Sequence, residues 1–151
     1  MGSVSIPVRL TLPESSAVAL TKAADDMADA RDSEHFLAAL HGNHRLWRTI
    51  GEISRAKGWT IPHQRIVDFV VNTTHKAGRS TGDDQIETLI AINRDIAAQL
   101  AEGQDIELVT RRAELAWRER GRPYGVKLDH WLIGEMERKA RLRHVFSGYP
   151  A

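Results

Sequence analysis

The stretch 33–56 constrains the fold more than any other part of this chain. Its apolar residues recur at steps of three and four: Phe36, Ala39, Leu40, Leu46, Trp47, Ile50 and Ile53. That spacing places them on one face of an α-helix, because successive helical residues lie about 100° apart. A helix with such a stripe must bury it against other helices, so the stretch predicts a helical protein.

One polar residue, Asn43, interrupts this apolar stripe, and Gly42 precedes it. A second apolar stripe, over 86–100, is interrupted in the same way by Asn93. A buried amide that is not hydrogen-bonded destabilises the fold. We therefore expect Asn43 and Asn93 to lie on facing helices, hydrogen-bonded to each other or through a backbone group or a buried water. Gly42, a poor residue for a helix interior, suggests that another helix comes close there.

The same reasoning predicts six helices, with bounds set by capping residues, prolines and glycines. They are Pro13 to about Ala30; Ser33, as N-cap, to Gly58; Pro62, as first residue, to about Gly78; Asp83 to Gly103; Asp105 to about Arg120; and Leu128 to about Arg143. The third has the widest apolar face, Ile66, Phe69, Val70 and Thr73 flanked by valines. That width predicts a central position for the third helix.

The predicted fold class is all-α, with three parts. Residues 1–12 form an extended arm, in which 4–12 alternate apolar and polar side chains. The arm is either a tail over the helices or a strand that pairs across a dimer. Residues 13–103 form a four-helix bundle. Residues 104–151 form a helical hairpin that buries Trp117 against Trp131 or Leu132 and packs on the bundle or on another copy.

Composition excludes several classes of protein. The chain has 21 Lys and Arg against 20 Asp and Glu, so its net charge of +1 gives no general affinity for polyanions. It has no cysteine, which excludes disulfides and thiolate chemistry. No apolar run is long enough to span a membrane, and no signal-peptide pattern follows the start. These features predict a cytoplasmic protein.

Two clusters of side chains could hold a metal ion. His41 and His44, with Glu34 or His35 nearby, form one, and the aspartates at 25, 26, 29 and 32 form the other. Neither cluster matches a known metal-binding motif, and a solvated helix face explains both. No catalytic motif occurs either. We therefore expect no catalytic residue, no metal site and no cofactor.

The chain resembles a known family over about residues 35–101. The motifs that carry the resemblance are Ala39-Leu40, Asn43, Leu46-Trp47, Ile61-Pro62, Leu89-Ile90, Ile92-Asn93-Arg94 and Leu100. They are similar in order and spacing to those of the FlaF regulators of flagellar biosynthesis. The resemblance implies a small, helical, non-enzymatic protein. It further implies a role in flagellin synthesis and export. In that role the protein would act with a flagellin-regulating partner and would bind flagellin.

The tail resembles a different family, over about residues 105–140. Its motifs are Arg112-Ala113, Trp117, Gly121-Arg122-Pro123 and the run 129–132. They are similar to those of a short bacterial helical-hairpin family of unknown function. This resemblance implies a fold and no activity.

The functional prediction is a non-catalytic adaptor or regulator that binds a protein partner, with flagellin the first candidate. Arg94 follows the buried Asn93 and is expected at the edge of a groove between helices, with Trp59 and Ile61 as apolar contacts above it. The alternative is a helical module that contacts nucleic acid through the basic run 138–144, although cations there also complement the helix dipole. The sequence is also compatible with a homo-oligomer.

Overall fold

Six α-helices make up most of the structure, a computed structural model that describes residues 9–75, 82–120 and 126–140. They are α1 Leu12–Asp29, α2 Ser33–Lys57, α3 Gln64–His75, α4 Asp83–Leu100, α5 Ile106–Glu119 and α6 Leu128–Ala140. No strand occurs within these ranges. The predicted all-α fold is therefore confirmed.

Helix α1 lies at the centre of the fold, in contact with α2, α4, α5 and α6. Every residue from Glu14 to Leu20 is buried, so the first half of the helix has no solvent-facing side. Its side chains there are mostly small, as in Ser16, Ala17 and Ala19, and small side chains let several neighbouring helices approach at once. The large core residues Leu40, Trp47 and Leu132 surround it from α2 and α6.

The start of α1 is fixed by a reciprocal pair of hydrogen bonds. The Glu14 backbone N–H donates to Thr11 Oγ1 (3.2 Å), and the Thr11 N–H donates back to Glu14 Oε1 (2.8 Å). Such a capping box satisfies two amides that the first helical turn leaves without partners. Pro13 lies in the first turn, where its missing N–H is of no consequence. The predicted start is confirmed to within one residue.

Helix α2 runs as predicted, but its N-cap is Asp32 and not Ser33. The Asp32 carboxylate accepts the N–H of His35 at 2.8 Å, so the residue before the predicted cap satisfies the first turn. Gly58 ends the helix in a left-handed conformation with φ +68°, and its N–H donates to the Ser54 carbonyl. A side chain is strained at that φ, which is why glycine stands there.

The prediction for α3 was wrong in two respects. The helix begins at Gln64, because His63 and not Pro62 precedes its first turn. The Val67 N–H donates to the His63 carbonyl (3.2 Å), and the Arg65 N–H donates to His63 Nδ1 (3.0 Å). The helix is also peripheral and not central, since its main contact is with α2.

Helices α5 and α6 share the core of the first four helices and pack on α1. Arg112 on α5 donates to Glu14 Oε2 (2.8 Å) and to the Arg9 carbonyl (2.8 Å). The buried Glu137 on α6 accepts hydrogen bonds from Arg45 Nη2 (3.0 Å) and Thr49 Oγ1 (3.1 Å) on α2. These contacts dock both helices on the bundle of the same chain.

Some tail and arm predictions lie outside the described residues. These include residues 1–8 of the predicted arm, the turn at 121–125 and everything after 140. Residues 9 and 10 lie over α5 and α6, since Lys139 donates to the Leu10 carbonyl (3.1 Å) as Arg112 does to that of Arg9. Trp117 is half-buried and packs on the core, and its pairing with Trp131 or Leu132 stays a prediction.

Two glycines of α2 are expected to respond oppositely to alanine. A Cβ at Gly51 would stand 2.8 Å from Val67 Cγ1, whereas a Cβ at Gly42 would meet only His130 Nε2 at an ordinary 3.6 Å. The close approach predicted at Gly42 is therefore found at Gly51, where α3 packs. Gly42→Ala should stabilise by about 0.5–1 kcal/mol through helix propensity. Gly51→Ala should destabilise by about 1–2 kcal/mol through overpacking.

Urea denaturation of both variants checks this prediction, with each glycine serving as the control for the other. Equal stabilisation by the two alanines would mean that α3 does not approach α2 as closely as described.

Candidate functional site

A chain of buried polar groups crosses the middle of the core. Asn43 on α2 and Asn93 on α4 are both fully buried. Asn93 Nδ2 donates to Asn43 Oδ1 at 2.7 Å and to the Leu20 carbonyl of α1 at 3.1 Å. Trp47 Nε1 donates to Asn93 Oδ1 at 2.9 Å. The two amides meet as predicted, and together with Trp47 they tie three helices into one register.

Sequence reasoning missed two members of this chain, the Trp47 indole and the Leu20 carbonyl. Trp47 stands one helical turn after Asn43, so the i, i+4 spacing on one face was the available signal. One hydrogen-bond donor of Asn43 is left without an acceptor among the described residues. Its Nδ2 is buried and has no hydrogen-bond partner in the described part of the chain.

Asn43 also lines a cavity of about 450 Å³ between α1, α2 and the start of α6, which we term the α1–α2–α6 cavity. Small residues and charged residues form most of its wall. The lining residues are Ala23, Asp26, Asp29, Ala30, Arg31, Asp32, His35, Ala38, Ala39, Gly42, Asn43, Lys127, Asp129 and His130. Three of the aspartates considered from the sequence as a metal cluster, those at 26, 29 and 32, thus form one side of this cavity.

Two carboxyl groups face each other in the cavity, Asp26 from α1 and Asp129 from α6. Burial and the neighbouring carboxyl of Asp129 raise the pKa of Asp26 from 3.8 to about 7, although Lys127 opposes the shift. Lys127 Nζ lies 3.6 Å from Asp26 Oδ1. The pair therefore holds a proton near neutral pH, since two adjacent carboxylates repel each other when both are charged.

The three residues predicted to bind a partner do not form one groove. Trp59 and Ile61 lie together beyond the end of α2, half-buried against the core. Arg94 is on α4 and pairs with Asp25 of α1 at 3.4 Å. Arg94 follows Asn93, which contacts Asn43. From Asn43 to the end of α2 at Lys57 the helix rises about 21 Å at 1.5 Å per residue, and Trp59 lies beyond that end. The structure therefore separates Arg94 from the other two.

A partly exposed row of residues runs along α3 beside its buried side, and we term it the α3 outer stripe: Ile66, Phe69 and Thr73. Ile66 also packs against the core, whereas Phe69 is exposed. The side that packs on α2 is formed by Val67, Val70 and Thr74, which are buried. The two sets differ by one residue, or about 100° around the helix. Of the four residues predicted to form the buried face of α3, Val70 is buried, Ile66 and Thr73 are partly exposed, and Phe69 is 45% exposed.

The other residues considered from the sequence as metal or nucleic-acid sites form no further cluster among the described residues. His44 Nδ1 lies 2.9 Å from Thr74 Oγ1, and burial lowers the pKa of His44. The described ranges contain no group of three or more His, Cys, Asp or Glu arranged to hold a metal ion. Arg138 pairs with Glu135, and Lys139 with the Leu10 carbonyl, so these two cations of the basic run already have partners. None of the described helices is long and apolar enough to cross a membrane.

Comparison with known proteins finds one family along most of the helical bundle. The family described as flagellar protein FlaF matches residues 11–100, which span α1 to α4. No curated protein and no solved structure matches the chain. The match extends the resemblance seen at 35–101 towards the N-terminus, so that it includes the central helix α1. Because the match covers more than half of the chain, this protein belongs to the FlaF family of flagellar proteins.

Proposed function

We propose that this protein is a non-catalytic helical adaptor of flagellar biosynthesis whose partner is a protein, with flagellin the first candidate. Membership of the FlaF family supports the flagellar role. The α3 outer stripe is the observation that carries the choice of a protein partner. A large aromatic residue, Phe69, stays 45% exposed on a helix that packs mainly on one neighbour.

The proposed docking surface combines the α3 outer stripe with Trp59 and Ile61. Ile66 and Phe69 supply apolar contacts one helical turn apart, and Trp59 and Ile61 lie just before the first turn of α3. Exposed aromatic side chains beside half-buried apolar ones are typical of binding hot spots. An amphipathic helix of the partner would lie along α3 and cover this stripe. Arg94 is left out of the surface because it pairs with Asp25.

Phe69→Ala is expected to weaken flagellin binding by about 10- to 100-fold, since truncation of a central aromatic anchor commonly costs about 2 kcal/mol or more. Calorimetric titration of the full chain with cognate flagellin monomers measures the effect. Because Phe69 is 45% exposed, its truncation should leave thermal unfolding nearly unchanged.

Leu115→Ala is the matched control, since Leu115 on α5 is equally exposed, at 47%, but lies outside the proposed surface. It should bind flagellin as the unaltered chain does. Equal weakening by the two variants, or no complex at up to roughly 100 μM, where a weak interaction of about −5 kcal/mol begins to register, would contradict the proposal. Sedimentation of the chain alone shows whether a failure to bind flagellin results from self-association through α3.

A further inference from the structure

We propose that the α1–α2–α6 cavity binds a small organic cation, an amine or a guanidine, that also carries a hydrogen-bond acceptor. The proposal concerns a different face from the α3 outer stripe and does not depend on flagellin binding. It rests on three features of the cavity: its size, its charge and its unpartnered donor.

The size of the cavity fits a molecule larger than a single ion. Its volume of about 450 Å³ falls in the range of small-molecule sites. The room comes from small side chains on α1 and α2, since Ala23, Ala38, Ala39 and Gly42 stand where larger residues would fill the space. The aliphatic part of a ligand can lie against these residues, and its charged end can reach the acidic wall.

The charge of the cavity favours a cation. Four carboxyl groups, Asp26, Asp29, Asp32 and Asp129, face it against the two permanent cations Arg31 and Lys127. His35 and His130 complete the titratable set, and His35 Nδ1 lies 2.8 Å from Asp32 Oδ1. At the inner end, Asp26 and Asp129 are close enough that one holds a proton near neutral pH. A ligand cation would take the place of that proton and remove the repulsion.

Asn43 supplies the second recognition group. It is fully buried, it lines the cavity, and its Nδ2 has no partner among the described residues. A buried donor without an acceptor is unfavourable, whereas an acceptor on a ligand would satisfy it. A carbonyl or carboxylate close to the cationic group would meet Asn43 while the cation meets Asp26 and Asp129.

The cavity is closed by a segment that lies outside the family match. Lys127 directly precedes α6, and Asp129 and His130 lie in its first turn, whereas the match ends at residue 100. Glu137 holds that helix on α2 through Arg45 and Thr49. The cavity therefore depends on the tail of this chain as well as on its family bundle.

Titration with L-argininamide, which carries two cationic groups and an amide carbonyl, tests the proposal. Nitrogen-15 NMR of the full chain follows the Asn43 side-chain amide, and calorimetry gives the affinity. We expect a Kd on the order of 1 mM or tighter, as ligand-efficiency limits allow for about twelve non-hydrogen atoms. Shifts of the Asn43 amide should saturate together with the heat. Succinate, an anion of similar size, should produce neither.

The proton held by the carboxyl pair gives an independent readout. Binding near pH 6.5 should release protons, measured as a dependence of the heat on the ionisation enthalpy of the buffer. At pH 8.5, above the pKa of about 7, the release should be much smaller; this comparison uses a blocked Gly-Arg-Gly peptide, because its guanidinium does not titrate whereas the α-amine of argininamide does. The same peptide forms a second arm. Tighter binding of this peptide than of argininamide would support the cation site and identify a polypeptide side chain as the source of the cation.

Asp129→Asn is expected to weaken argininamide binding about tenfold and to abolish the proton release. Asp25→Asn is the matched control, since it removes an adjacent carboxylate of α1 that lies outside the cavity lining. Ala38→Tyr, at an exposed position of the cavity wall, should block binding by filling the space and covers the case in which Asp129→Asn fails to fold. Absence of saturable shifts up to 20 mM argininamide, or equal binding by all variants, would overturn the proposal.

Discussion

Replacing Asn93 with leucine is expected to lower the free energy of unfolding by about 3–5 kcal/mol, because this one side chain joins three helices. The change removes both hydrogen-bond donations by Nδ2, to Asn43 and to the Leu20 carbonyl, and the acceptor of the Trp47 indole. Asn43 and Trp47 are buried, so their side-chain groups would lose this hydrogen-bond partner inside the core. Urea denaturation monitored by Trp fluorescence measures the loss.

Asn43→Leu is the informative comparison, because the two amides are not equivalent. Asn43 makes one hydrogen bond with Asn93 and its own Nδ2 has no partner in the described residues, so its replacement should destabilise by only about 1–2 kcal/mol. The double variant should lose less than the sum of the two. Additive losses would mean that the two amides do not interact.

Glu14→Ala is expected to destabilise by about 1–3 kcal/mol at pH 7, since it removes the capping box of α1 and a partly buried ion pair with Arg112, whose side chain is 41% exposed. Glu14 accepts hydrogen bonds from the Thr11 N–H, from Arg112 and from Gln104, and it is nearly buried. It therefore fixes both the start of α1 and the docking of α5. Glu34→Ala, an exposed acid of the first turn of α2, is the control and should change stability by less than about 0.5 kcal/mol.

The loss at Glu14 should depend on pH in a defined window. Burial opposes ionisation of Glu14, but the hydrogen bonds from Thr11, Arg112 and Gln104 outweigh it and lower the pKa from 4.5 to about 2. Because the folded pKa lies below the unfolded one, the contribution is complete above pH 4.5 and is lost as the pH falls towards 2. The two stability curves should converge over that window. A constant difference down to about pH 2 would show that the carboxylate charge contributes nothing.

Local signals in the sequence were sufficient for most helix bounds. Gly58 ends α2, Asp105 caps α5 through the Glu107 N–H, and Thr11 with Pro13 starts α1. These predictions hold because a cap involves neighbours in the chain and depends little on the rest of the fold. Asp32 and Ser33 are both good caps, and the sequence offered no basis for choosing between them.

Packing partners were harder to predict than helices. The apolar residues of α3 cover so much of its circumference that periodicity did not separate Val67 and Val70, which are buried, from Ile66, which is half-buried, and Phe69, which is exposed. The deciding feature was Gly51, on another helix, which admits Val67. Likewise, the central position of α1 follows from its small side chains, whose weak apolar pattern is less conspicuous than that of α2.

The candidate site was predictable only in part, for a related reason. The interrupted stripes pointed to Asn43 and Asn93, because a buried polar residue requires a partner. The cavity beside them joins Asp26 to Asp129, far apart in the chain, and no local pattern relates the two. Arg94 was expected at a groove edge beside Asn93, with Trp59 in the loop above it, whereas the length of α2 keeps the two apart.

Hydrogen exchange of the full chain, alone and with cognate flagellin monomers, tests the proposed adaptor function most directly. If flagellin docks on the α3 outer stripe, amides over 59–73 should exchange more slowly in the complex, because a partner helix covers them. Amides of α5 around Leu108 and Leu115, which are also exposed and apolar, should be unaffected. Unchanged exchange over 59–73, or protection confined to α5, would contradict the proposed docking surface.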